Sequence, residues 1–125
     1  MSKFIVDKSF WEIFPEANVG VLLLDNVDNS GASSENVIKL LKESNEEAKK
    51  HLTEAQLSQN PAISVWREAY QKFKTKKGVR SSIEALLKRV EKGAGISTIS
   101  PLVDIYNSAS LKYGLPNLTD RKSVV

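Results

Sequence analysis

The chain has 125 residues, 41% hydrophobic and 26% charged, which suffices for one small domain over residues 1–125 but not for two. It has no cysteine and one histidine, so disulfides and thiolate chemistry are excluded and a zinc site is not expected. The formal net charge is +3, and no window approaches the roughly 20 apolar residues of a membrane span. We expect a cytoplasmic protein without a membrane partner.

Two segments near the N-terminus have the pattern of β-strands. Phe4–Val6 is a short β-like run, and Asn18–Asp25 is a continuous apolar run typical of a strand that is covered on both faces. Between them, Ser9–Phe14 predicts a short helical turn. We therefore predict an α/β (α+β) fold that is rich in helix, has few strands and uses Asn18–Asp25 as its central strand. Such a strand needs neighbouring strands. Other segments of this chain, a second copy or a partner chain could supply them and complete the sheet.

Two helices are predicted in the middle of the chain. The first begins at Ser33 or Ser34 after a turn-rich loop and continues to about Leu52, with apolar residues at helical spacing. His51 in its last turns has no catalytic neighbour, so we assign it no chemistry. The second begins at Asn60-Pro61, an N-cap followed by proline. Its aromatic stripe is interpreted as core.

Two further helices flank a glycine-rich loop. Ser81 is predicted to cap the first of them, with Glu84 as its capping-box partner, and Gly93 ends it. The second begins at Ser100-Pro101 and ends at Gly114. Its expected inward face consists of Leu102, Ile105, Tyr106, Ala109 and Tyr113. Another face carries Asp104, Asn107 and Ser108.

Positive charge is concentrated between Lys72 and Lys92. This stretch contains eight basic residues and two acids, a local charge of +6, whereas the rest of the chain carries −3. Such a concentration could meet a phosphate backbone. The alternative is a solvated linker and helix face. No Walker-type motif is present, so hydrolysis of nucleoside triphosphates is not indicated.

Three runs of sequence resemble one protein family. Val65–Tyr70 is similar to a Trp-Arg-Glu-Ala-Tyr run, Arg80–Arg89 to an Arg-Ser-Ser-Glu-Ala-Leu-Leu-Arg-Arg signature, and Ile99–Asn107 to an Ile-Asn-Pro-Leu-Val-Asp-Tyr-Asn element. These belong to the paired B-three/B-four editing domain of the phenylalanyl-tRNA synthetase beta subunit and its free-standing bacterial relatives. Asn117–Val125 does not match, so the resemblance covers about the first half of the family domain. We expect a C-terminally truncated member.

The resemblance implies a protein that binds the aminoacylated 3′ end of tRNA. In the family, water attacks the ester of a wrongly attached amino acid, which supports the fidelity of translation, and no metal or organic cofactor takes part. A pocket that orients water and stabilises the oxyanion could suffice for this hydrolysis. An active chain would be an aminoacyl-tRNA deacylase without ligase activity.

The candidate site residues fall into two groups, each with a structural alternative. Asp104 and Asn107 are the catalytic pocket candidates. Alternatively, the charge of Asp104 interacts favourably with the dipole at the start of its helix, and Asn107 holds the glycine-rich loop. Residues expected to bind substrate or RNA include three at a helix N-terminus, where free N–H groups attract anions, although capping is the alternative. The full set is Arg80, Ser81, Ser82, Lys74, Lys76, Lys77, Lys88, Arg89 and Lys92.

Three hypotheses follow. The chain is a hydrolase that deacylates mischarged tRNA, an RNA-binding module without chemistry, or a truncated protein that depends on a partner. Salt-dependent RNA binding would favour the first two, and oligomerisation the third.

Overall fold

The computed structural model describes residues 8–22, 24, 26, 28–72 and 80–117. Within them lie five α-helices: α1 (Lys8–Ile13), α2 (Glu35–Ala48), α3 (Pro61–Gln71), α4 (Ser82–Glu91) and α5 (Pro101–Tyr113). Short 3-10 turns occur at Lys49–His51 and Leu57–Gln59. The chain divides into two compact units. One comprises Met1–Asp28 with Thr119–Val125 and contains α1, and the other comprises Asn29–Leu118 and contains α2 to α5.

The predicted α/β fold is wrong, because the described residues contain helices and no strand. The described part of Asn18–Asp25 is irregular and exposed, with 80% of Leu22 accessible to solvent. A strand needs a hydrogen-bonded neighbour, and the described part of the chain offers none, so apolar composition and β-branching did not suffice here. Phe4–Val6 lies outside the described residues. The turn predicted at Ser9–Phe14 is confirmed as α1.

Most helix boundaries follow the signals read from the sequence. Ser34 caps α2, its hydroxyl accepting the N–H of Val37 at 3.3 Å. Pro61 and Pro101 are the first residues of α3 and α5, as predicted. Gly114 ends α5 in the left-handed conformation. Local chemistry therefore defines where these helices begin and end.

The core of the second unit forms where α2, α3, α4, α5 and the loop before α5 converge. The apolar face predicted for α2 is confirmed in part by the burial of Leu41 and Ala48, and α4 buries Ile83, Leu87 and Val90. Each large aliphatic side chain buried in this way contributes about 1.5–3 kcal/mol. The complete buried cluster is Leu41, Ala48, Ile63, Ile83, Leu87, Val90, Ile96 and Leu111.

The buried face of helix α5 is not the face that was predicted to be buried. Its buried residues are Leu111 and four polar ones, namely Asp104, Asn107, Ser108 and Ser110. Its most extensive packing is against α2, where Ser44 and Ala48 are also buried. Small side chains on both helices allow a close approach, and an anchored carboxylate can be buried with its partners. Of the face that was predicted to be buried, Ile105, Ala109 and Tyr113 are exposed, whereas Leu102 and Tyr106 are half-buried.

Candidate functional site

Asp104 occupies a fully buried position between three segments of the chain. Its carboxylate accepts hydrogen bonds from the hydroxyls of Ser33 and Thr98, the latter at 2.5 Å, and from the N–H of Ile99 at 2.8 Å. Burial by itself would raise the pKa of Asp104. The hydrogen bonds from Ser33 and Thr98, with those from the backbone N–H groups of Ile99 and Ser100, lower the pKa below its usual value. Asp104 thus joins the loop before α2 to the residues that lead into α5.

The two catalytic candidates lie on the same face of α5, as their spacing predicts, but this face is buried. Asn107 is 7% exposed and Asp104 is inaccessible to solvent. Neither residue lines the surface cleft that the structure forms beside the glycine-rich loop. The chain itself therefore shields almost all of these two side chains from solvent.

The N-terminus of α4 is closed by contacts within the chain. The hydroxyl of Ser82 accepts the backbone N–H of Asn117 at 3.2 Å and donates to the backbone oxygen of Asn117 at 3.3 Å. Ser81 occupies the N-cap position, but its side chain makes no capping hydrogen bond, and its buried hydroxyl has no partner within the part that the structure describes. Of the proposed binding groups here, Ser82 already holds the segment after α5.

Glu84 does not form the predicted capping box. Its carboxylate forms ion pairs with two arginines instead. Arg67 of α3 approaches it in a bidentate fashion, with Nε 2.8 Å from Oε1 and Nη2 3.0 Å from Oε2. Nε of Arg80 lies 3.1 Å from Oε2. The hydrogen bond to Glu84 raises the pKa of Arg67. The carboxylate is almost fully buried, so it requires partners that neutralise its charge and donate hydrogen bonds, and the guanidinium groups do both.

The glycine-rich loop forms one wall of a surface cleft of about 260 Å³. Gly93 and Gly95 both have left-handed backbone angles, with φ of 85° and 67°. Asn45 of α2 holds the loop by accepting the N–H of Ile96 at 2.7 Å and donating to the oxygen of Ile96 at 3.0 Å. Lining residues are Lys42, Asn45, Glu46, Lys49, Val90, Gly93, Ala94, Gly95, Ile96 and Ser97.

Cationic side chains lie in this cleft and on the helix that precedes its glycine-rich loop. Lys42 and Lys49 belong to its lining, and Nζ of Lys49 also lies 2.8 Å from Oε2 of Glu46. Lys88, Arg89 and Lys92 are exposed along the C-terminal half of α4, immediately before the loop. None of these three has an acidic partner among residues that the structure describes. We call Lys42, Lys88, Arg89 and Lys92 the cationic surface.

Sequence reasoning missed two members of this region. Lys42 and Asn45 were not singled out, although 42, 45 and 49 share one face of α2 at helical spacing. The other basic candidates, Lys74, Lys76 and Lys77, lie outside the described residues. In the described ranges, no group of three His, Cys, Asp or Glu side chains could hold a metal ion.

No helix in the described part of the chain has the length and apolar character needed to cross a membrane. No family model matches the chain, and neither a curated protein nor a solved structure matches it. The site must therefore be interpreted from its own geometry and from the motifs in the sequence.

Proposed function

We propose that this chain binds RNA through the cationic surface, and that its ligand is a tRNA with its aminoacylated 3′ end. The resemblance to the B-three/B-four editing domain suggests tRNA as the class of RNA. The observation that carries the proposal is the group of exposed cations, without acidic partners in the described part, beside the glycine-rich loop.

Phosphate binding is the chemistry that suits this arrangement. Lys88, Arg89 and Lys92 lie within little more than one helical turn, so their charges can reach neighbouring phosphates of one strand. Each neutralised phosphate releases condensed counterions, which makes binding depend steeply on salt. Asn45 holds the loop that follows these side chains in the sequence, which limits the ordering that binding would otherwise require.

We propose binding without hydrolysis as the activity of this conformation. The hydrogen bonds of Asp104 are already taken by Ser33, Thr98 and two backbone N–H groups. Asn107 is buried on the same face of α5. Neither side chain can position water at an ester while it remains there, since a general base must lie within hydrogen-bond reach of the reacting water.

A charge-reversal experiment tests the proposal. Fluorescence anisotropy with labelled tRNA would compare the wild type with the Lys88→Glu/Lys92→Glu variant and with a Lys39→Glu/Lys50→Glu control. Both variants change the net charge equally, but Lys39 and Lys50 are paired with Glu43 and Glu47 on α2. We expect the first variant to bind roughly 10- to 100-fold more weakly and the control to change little. Equal losses would show attraction by net charge alone and overturn the proposed surface.

The deacylase form of the proposal has its own test. Wild-type chain and the Asn107→Ala variant would be incubated with a panel of mischarged tRNAs, and release of the amino acid measured. Binding without release is the expected result. Release that falls in the variant would show that Asn107 becomes accessible and would replace the binding-only proposal with an editing hydrolase.

A further inference from the structure

Residues 29–33, which precede α2, reach across to the start of α5. At one end of this segment, Oδ1 of Asn29 accepts the N–H of Leu102 at 2.8 Å. At the other end, the hydroxyl of Ser33 donates to Oδ2 of Asp104. The two contacts join residues that are 73 and 71 positions apart in the sequence. The segment is therefore tied to α5 at both of its ends, and we call residues 29–33 the latch.

Asn29 supplies a cap that α5 does not obtain from its own sequence. Ser100 occupies the N-cap position of α5, but its side chain makes no capping hydrogen bond. The N–H of Leu102, the second residue of the helix, is instead accepted by the side chain of Asn29, as an N-cap side chain would normally accept it. The latch thus satisfies an N–H group at the start of α5 from a distant part of the chain.

The latch buries no apolar side chain. Residues 29–32 are exposed, and Ser33, which is polar, is the one member of the latch that is buried, with 8% of its surface accessible. None of the five residues belongs to the buried apolar cluster of α2 to α5. Detaching the latch from α5 therefore exposes little apolar surface. Segments attached in this way open locally far more easily than the helices unfold.

We propose that the latch detaches from α5 as one unit while α2 to α5 stay folded, and that this opening controls access to Asp104. In the closed state, Ser33 lies on Oδ2 of Asp104 and shields the carboxylate. In the open state, Oδ2 of Asp104 and the N–H of Leu102 each lose a partner. This inference does not involve the cationic surface, so it is independent of the RNA-binding proposal.

The closed latch makes Asp104 unavailable for chemistry. The hydroxyl of Ser33 occupies Oδ2, and both residues are buried. A carboxylate acts on water or on a substrate hydroxyl only within hydrogen-bond reach, so Ser33 has to leave before Asp104 can do so. The contact between Ser33 and Asp104 is therefore autoinhibitory, and opening of the latch precedes contact between this carboxylate and a ligand.

Hydrogen exchange measured by NMR tests whether the latch opens as one unit. The hydroxyl of Ser33 bonds to Asp104 and not to Leu102, so Ser33→Ala should accelerate exchange of the Leu102 amide, about 10-fold, through loss of the other anchor. Thr98→Val is the matched control, because it removes a second hydroxyl from Oδ2 of Asp104 and leaves the latch unchanged. The amide of Ser108, in the middle of α5, should keep its rate in both variants.

Three results would overturn the proposal. The first is no effect of Ser33→Ala on the Leu102 amide. The second is an effect of Thr98→Val as large as that of Ser33→Ala, which would mean that the start of α5 loosens without the latch. The third is equal acceleration at Ser108, which would mean that the whole helix unfolds.

Chemical modification of carboxylates tests access to Asp104. The chain would be treated with a water-soluble carbodiimide and an amine, and the modified residues located by mass spectrometry. Asn29→Ala removes the anchor at Leu102, and it should speed modification of Asp104 about 10-fold. Glu84, a buried carboxylate on α4, is the internal control and should keep its rate. An unchanged rate at Asp104, or an equal rise at Glu84, would overturn control of this carboxylate by the latch.

Discussion

The imidazole ring of His51 lies directly over Gly114, the residue that ends α5. A Cβ atom added to Gly114 would come within 2.9 Å of Cε1 of His51. Nε2 of the same ring is 3.1 Å from the backbone oxygen of Leu111, one of the last carbonyl groups of the helix. His51 therefore secures the C-terminus of α5 from a different segment, a structural role in which only glycine fits opposite the ring.

Gly114→Ala should destabilise the chain by about 2 kcal/mol or more, because it combines a left-handed φ of 67° with the clash against His51. Gly31→Ala is the matched control. Its φ is 77°, but a Cβ there would meet nothing within 4 Å, so the cost should be only about 1 kcal/mol. Urea unfolding measures both. Equal costs, or no relief of Gly114→Ala by His51→Ala, would show that the ring contact is unimportant.

Removing Arg67 should leave Glu84 buried with only part of its charge compensated. We expect Arg67→Leu to lower the free energy of unfolding by about 2–3 kcal/mol. Arg80→Leu should cost less, because the side chain of Arg80 is 45% exposed and its ion pair is screened by solvent. Denaturant unfolding of the two variants provides the comparison, and a larger loss for Arg80→Leu would contradict this order.

Asp104 should make stability depend on pH in the acid range. Its pKa in the folded state lies below the ordinary value of 3.8, so its contribution is complete above that value and is lost as the pH falls through the folded pKa. Asp104→Asn should cost about 2–4 kcal/mol at neutral pH, because an amide cannot accept all these hydrogen bonds. The difference in free energy of unfolding between the variant and the wild type should shrink as the pH falls below 3.8 and through the folded-state pKa of Asp104. A difference that stays constant with pH would exclude this linkage.

Asn45→Ala should loosen the glycine-rich loop without unfolding the chain. The amide of Ile96 loses its acceptor, so its hydrogen exchange should speed up roughly 10-fold or more. Amides in the middle of α4 should change far less. Exchange measured by NMR distinguishes the two, and uniform acceleration across the chain would mean that Asn45 supports the whole unit rather than the loop.

The ends of the helices could be predicted from the sequence, because capping and proline signals act within a few residues. Ser34, Pro61, Pro101 and Gly114 are where these signals placed the ends of α2, α3 and α5. Whether Asn18–Asp25 forms a strand could not be decided from such local signals. Its formation depends on neighbours far along the chain, which local composition does not reveal.

The orientation of α5 and the partners of Glu84 also escaped prediction. Apolar spacing alone favoured burial of Ile105 and Tyr113. The buried residue is instead Asp104, whose carboxylate accepts a hydrogen bond from Ser33, 71 residues away. Arg67 reaches Glu84 from another helix. In both cases a long-range polar contact decided which side faces inward, and periodicity carries no information about such contacts. The cationic surface was predictable on α4, whereas Lys42 joined it only through packing.

Salt dependence of tRNA binding tests the RNA-binding proposal most directly. The logarithm of the association constant, plotted against the logarithm of salt concentration, should fall linearly with a slope of about −3 to −4 for a surface of four cations. Lys88→Glu/Lys92→Glu should reduce the magnitude of this slope by about 2, because two of the four cations are lost, and Lys39→Glu/Lys50→Glu should preserve it. Binding that does not depend on salt, or a slope that is the same in both variants, would contradict RNA recognition by the cationic surface.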